Sequence, residues 1–179
     1  MEADRKKKNI LELTKCSVEQ YKQKEKFGVI VLLDNIRSMY NVGSVLRTAD
    51  AFLVYKVILS GITGCPPHPE IAKTALGADE SVDWSYEENS IETVRRLKKD
   101  GWKICVLEQA HGSVPLQEFQ VRNDGRYVLV AGNEVEGVNQ EIVDMADVVL
   151  EIPQHGVKHS LNVSVSVGIA LWQMLRLGL

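Results

Sequence analysis

After residue 27 the chain alternates short β-branched runs with stretches of helical period, and this alternation constrains the fold more than any other feature. GVIVLLD (28–34) reads as a buried strand, and VGSVLRTADAF (42–52) as a helix with Asn41 as its N-cap. YKVILSG (55–61), KICVLE (103–108), RYVLVAG (126–132) and DVVLEIP (147–153) read as further strands. PEIAKTALG (69–77), stopping at Gly77, SIETVRRLKKDG (90–101), capped by Ser90, and NQEIVDMA (139–146) read as helices. Strands separated by helices of this length predict an α/β fold, a mostly parallel sheet with helices on both faces. SLNVSVSVGIALWQML (160–175) has two readings. NVSVSV alternates as a strand does, whereas Val163, Val167, Ala170, Leu171 and Met174 share one face of a helix; its length and apolar ending favour the helix.

Ligands in such sheets bind beyond the carboxyl ends of the strands. Here those ends run into DNIRSMYN, EQAHG, GNEVEG and PQHGVKHS, which are polar and glycine-rich. In the first, Asn35, Arg37, Asn41 and Arg47 follow a strand into a helix; Asn amides hold ribose or phosphate, and Arg grips phosphate with a fork of donors. Arg47 sits on a mostly apolar helix, where pairing with a carboxylate such as Asp50 would also account for it. AGNEVEGV (131–138) follows a strand and carries Glu134 and Glu136; it matches neither a Walker loop nor a dinucleotide fingerprint, and a structural turn also fits it. IPQHGVKHSLN (152–162) brings His155, His159, Ser160 and Asn162 to a helix start, where helix capping also explains Ser160 and Asn162.

Composition sets outer limits. The 179 residues are 45% hydrophobic and 25% charged, suiting one soluble globular domain. No apolar run is long enough to span a membrane, and no signal peptide is legible, so a cytoplasmic location is expected. Cys16, Cys65 and Cys105 are too few and too scattered for a disulfide framework or a zinc site, so no metal is expected; Cys65 and His68 flank a Pro-Pro turn. Residues 1–27 hold eight Lys/Arg against five Asp/Glu in a chain of net charge −3, which makes them a basic, helical arm on an acidic body. Such an arm contacts a phosphate backbone or simply forms a solvated helix face.

Taken together and in this order, NVGSVLRTADAF, GNEVEGV and IPQHGVKHSLNVSVSVGIALW closely resemble the three motifs of the SpoU (TrmH-like) branch of the SPOUT RNA methyltransferases. The resemblance covers residues 28–177, and HPEIAKTALGADESVDW is also similar to its ribose-methylating members. It implies a knotted methyltransferase domain over 28–179, an α/β domain whose C-terminal part is a deep trefoil knot cupping S-adenosylmethionine. By that resemblance Leu107, Gly132, Ile152 and Leu161 contact the cofactor, and Glu108 lies near its ribose. Arg47 and Asn41 match the catalytic arginine and its asparagine; Glu134, Ser160 and Asn162 match the remaining motif residues. The expected substrate is RNA, tRNA before rRNA, methylated on a ribose 2′-hydroxyl by a homodimer built on the knot helices. A non-catalytic RNA-binding protein of this fold and an RNA base methyltransferase are the alternatives.

Overall fold

The computed structural model describes residues 6–13, 16–122 and 125–176. Its strands are β1 (Phe27–Asp34), β2 (Val54–Ser60), β3 (Trp84–Glu87), β4 (Lys103–Leu107), β5 (Val114–Pro115), β6 (Tyr127–Ala131) and β7 (Val148–Glu151). They form one seven-stranded sheet in the order β3-β2-β1-β6-β4-β7-β5, and every pairing is parallel. The helices are α1 (Ile10–Leu13), α2 (Val18–Gln23), α3 (Met39–Ala51), α4 (Pro69–Ala75), α5 (Ala78–Ser81), α6 (Ser90–Lys99), α7 (Gln140–Met145) and α8 (Val163–Leu175).

Both faces of the sheet are covered, as the near-continuous apolar strands require. Successive side chains of a strand point to opposite faces, so one strand feeds two cores. Val31, Leu33 and Leu129 pack with Val45 and Leu46 of α3 and Leu171 of α8. Their neighbours Ile30, Leu32, Val128 and Val130 pack with Val94 and Leu97 of α6 and Ile142 of α7. Register then sets the site. Leu33 lies opposite Ala131, Ala131 opposite Leu107, and Leu107 opposite Leu150, so four strand ends stand in a row. The four loops singled out in the sequence leave from that row.

The structure departs from the sequence reading in places with clear causes. β3 and β5 were not expected. WSYE is short and half polar, and β5 is two residues long, so neither carries a periodic signal. Asn41 does not cap α3. Ser38 does, its hydroxyl accepting from the Asn41 amide, and Asn41 sits inside the first turn. Asn89, not Ser90, caps α6. Gly77 does not end α4. Leu76 takes the left-handed position there (φ 50°), and Gly77 (φ 89°) opens α5. The 160–175 stretch is helical only from Val163, capped by Asn162, so Ser160 caps nothing.

Part of the expected arm lies outside the described residues. The rest is not a free tail: α2 is fixed by a capping box between Ser17 and Gln20, α2 packs on α5, and Tyr21 is 5% exposed within the core.

α3 and α8 run side by side in the same direction. Asn162 bonds Asn41 at one end, Gly168 faces Thr48 midway, and the Phe52 and Trp172 rings lie 6.3 Å apart at the other.

Candidate active site

Three of the four loops surround a cavity of 630 Å³ at the row of strand ends, and DNIRSMYN stands behind its wall. β4 delivers Leu107 and Glu108, β6 delivers Gly132, β7 delivers Ile152, and the approach to α8 delivers Leu161; all five expected cofactor residues line it. Glu134, Ser160 and Asn162 line it as well.

Glu134 anchors the arrangement. One carboxylate oxygen accepts from the Arg37 amide at 3.0 Å, and the other from the Ser38 amide at 3.1 Å and Asn41 Nδ2 at 2.9 Å. Asn41 Oδ1 in turn accepts from Asn162 Nδ2 at 3.0 Å. Asn162 Oδ1 is left to cap α8, accepting from the Ser164 and Val165 amides. One unbroken chain, Glu134–Asn41–Asn162, therefore ties together three loops that lie 93 and 121 residues apart in sequence. Partial burial pushes the Glu134 carboxyl up, but the Arg37 and Asn41 donors and the neighbouring amides outweigh it and hold it below its ordinary value. It is a carboxylate throughout the neutral range.

The GNEVEG loop is shaped by close contacts. A Cβ on Gly132 would lie 2.3 Å from the Gly137 carbonyl carbon and the Val138 nitrogen, so no other residue fits. Asn133 and Gly137 exchange two backbone bonds of 3.0 Å, and Asn133 Nδ2 donates to the Asn35 carbonyl at 2.8 Å. Glu108 braces the same loop: Oε2 accepts from the Val138 amide at 3.0 Å, and Oε1 from the Gln109 amide at 2.8 Å. Gln109 Nε2 reaches the His159 carbonyl at 2.5 Å, joining the β4 loop to the third segment. Asn133 and Gln109 escaped the sequence reading. Both donate from a side-chain amide to a distant backbone carbonyl, which leaves no pattern in residue type; only their position just past a strand end pointed to them.

Two expected residues stand apart. Asn41 is one hydrogen bond behind the cavity wall. Arg47 is absent from that wall; it lines a second cavity, with Asp50, on the side of α3 facing α4 and α5. It is exposed and, among the described residues, has no ion pair or hydrogen bond. Asp50 accepts instead from Ser81 Oγ at 2.5 Å, so the structural pairing that would explain Arg47 away is not made. His68 is likewise accounted for, its Nδ1 accepting from the Glu70 amide to cap α4; no metal-ligand cluster forms among the described residues.

Residues 28–172 match the model of the SpoU rRNA Methylase family. The chain belongs to that family. A tRNA/rRNA methyltransferase from Borreliella burgdorferi, itself uncharacterized, is 33% identical over 89% of this chain and 68% of its own length. Other curated relatives are longer, and the chain spans 63% of them. An AdoMet-bound rRNA methyltransferase from Sinorhizobium meliloti superposes with a TM-score of 0.80 at 28% identity, covering 89% of this chain and 60% of that one. A structure described as giving insight into 2-OH methylation of C/U34 on tRNA superposes with a TM-score of 0.73 at 26% identity, covering 83% and 94%.

Proposed function

We propose that this SpoU-family chain binds S-adenosylmethionine in the 630 Å³ cavity and transfers its methyl group to a ribose 2′-hydroxyl of RNA, with tRNA the first candidate and rRNA the second. The observation that supports this is the Glu134–Asn41–Asn162 chain, which ties the first motif segment to the other two beside a cavity lined by every expected cofactor residue. The cavity has the size of small-molecule sites. Its wall mixes aliphatic Leu107, Ile152 and Leu161 with loop backbone and Glu108. That mixture suits an adenine ring, a ribose and an amino-acid tail. The trefoil threading expected of the family belongs to the same proposal. The S. meliloti relative carries AdoMet, and the C/U34 structure concerns a hydroxyl on tRNA; both support the reading.

Bound S-adenosylmethionine supplies a methyl group already activated by its sulfonium. The protein's tasks are alignment and handling of the hydroxyl proton. The braced loops do the first. Arg47 serves the second from outside that cavity: its guanidinium, without a partner among the described residues, holds the RNA phosphate that sets the attacking hydroxyl.

Assembly is part of the proposal. Val165, Ile169 and Trp172, the last 57% exposed, form an apolar stripe along the outer side of α8. A second copy packed on that stripe gives the isologous dimer of knot helices. Trp172→Glu should shift the protein to monomer in sedimentation.

The decisive experiment pairs calorimetric titration of S-adenosylmethionine with mass spectrometry of nuclease-digested RNA after reaction. Saturable binding and a methyl on ribose are expected. Absence of binding would leave an RNA-binding protein, and a methyl on the base would leave a base methyltransferase.

A further inference from the structure

The second cavity, 410 Å³, has no part in holding the cofactor. It lies between the N-terminal segment, α3 and the α4–α5 corner. Three features set it apart from an ordinary surface dent.

Its lining includes Tyr21, which is 5% exposed and whose hydroxyl is buried with no partner among the described residues. Burial, together with the carboxylates of Asp50 and Asp83, raises its pKa far above the ordinary phenol value, so the hydroxyl keeps its proton. Buried polar groups are nearly always paired, and an orphan costs stability. Its rim holds two leucines that water should disfavour: Leu13 is 53% exposed, and Leu76 is 65% exposed and held at a φ of 50°. Strained, exposed apolar residues of this sort concentrate at ligand clamps. Finally, Arg47 lines the cavity without a partner among the described residues.

We propose that this cavity receives one unpaired nucleotide of the RNA substrate, its base between Leu13 and Leu76 with its polar edge on the Tyr21 hydroxyl and Asp50, and its phosphate on Arg47. The cavity matches that occupant chemically. It has aliphatic walls for a flat ring, a donor and an acceptor for a base edge, and a cation for one phosphate. Readers of single-stranded RNA splay bases into sites of this composition. The N-terminal segment then acts as a wall of the substrate site rather than as a diffuse basic tail, because Leu13, Cys16, Ser17, Val18 and Tyr21 come from it. The proposal rests on the reading of the chain as an RNA methyltransferase.

Two variants and one label test it, using total RNA from a deletion strain. Tyr21→Phe removes only the orphan hydroxyl. It should leave the melting temperature and S-adenosylmethionine affinity unchanged or better, yet raise the RNA concentration for half-maximal rate roughly threefold to tenfold. A merely structural tyrosine would give the opposite, a lower melting temperature with unchanged RNA kinetics. Cys16→Trp fills the cavity from its half-exposed wall and should cut transfer by about 100-fold or more with cofactor affinity intact. In the wild-type protein, the same RNA should slow alkylation of Cys16 by N-ethylmaleimide, read by peptide mass spectrometry. If both variants bind cofactor and methylate normally, the nucleotide assignment is overturned while the methyltransferase reading stands. If the wild type binds no S-adenosylmethionine, that reading fails instead, and Cys16 protection alone decides whether the cavity holds RNA.

Discussion

Two cavities among the described residues are built in opposite ways. Around the larger one the groups that hold the loops are paired: Glu134 accepts three hydrogen bonds, Asn41 links it to Asn162, and Glu108 and Asn133 pin the loop between them. Around the smaller one the decisive groups are unpaired: the Tyr21 hydroxyl and the Arg47 guanidinium lack partners among the described residues. A satisfied wall keeps its shape before anything binds, which suits a small cofactor of fixed structure. An unsatisfied wall gains most when an occupant arrives, which suits a nucleotide brought in by a larger molecule.

That contrast breaks most sharply at Arg47. Arg47→Ala should cost about 100-fold in methyl transfer, the scale for a misplaced reacting group. Cofactor affinity should stay within about twofold by calorimetry. A comparable loss of both would place Arg47 at the larger cavity after all and erase the division of labour.

Next in size is Glu134→Ala. It leaves the Asn41 amide and two backbone amides without their acceptor and frees the first motif from the second. We expect S-adenosylmethionine affinity to fall about 10- to 100-fold, with about 1–3 kcal/mol lost from stability in denaturant titration. Wild-type affinity here would show that the brace is incidental.

Gly132→Ala tests the fit of the same loop. The new Cβ meets backbone rather than a mobile side chain, so the loop must shift. A cost of about 1–3 kcal/mol is expected from overpacking, with weaker cofactor binding and an unaltered response of Cys16 to RNA.

The smallest effect concerns pH. The folded-state pKa of Glu134 is lowered, so its contribution is complete above the unfolded value of about 4.3 and is lost as pH falls through the folded value. Cofactor affinity should stay flat between about pH 8 and pH 5 and weaken only in more acid solution. A decline already beginning near pH 7 would show that a group other than this carboxylate governs cofactor binding.

The sheet, and the edge along which the larger cavity opens, were legible without coordinates, for a physical reason. The period of apolar residues reports which segments are strands and helices, and a parallel sheet places every strand's carboxyl end along one edge. Leu107, Gly132, Ile152 and Leu161 were expected at one place by the family resemblance alone, and all four line one cavity. The short strands Trp84–Glu87 and Val114–Pro115 were beyond reach, because two to four residues at the sheet edge carry no period of their own.

What the sequence by itself determined is the layered sheet, its direction and the side on which chemistry gathers, all consequences of local periodicity and chain direction. What only the tertiary structure decided is who meets whom. Asn41 reads locally as a helix cap but serves as a strut, because Ser38 takes the cap and frees its amide. Arg47 reads as a neighbour of Asn41 but lines a cavity walled by Leu13, Cys16, Ser17, Val18 and Tyr21, because a helix turns successive side chains to different sides. Hydrogen bonds between residues about a hundred positions apart depend on packing of the whole sheet, and no local pattern encodes them.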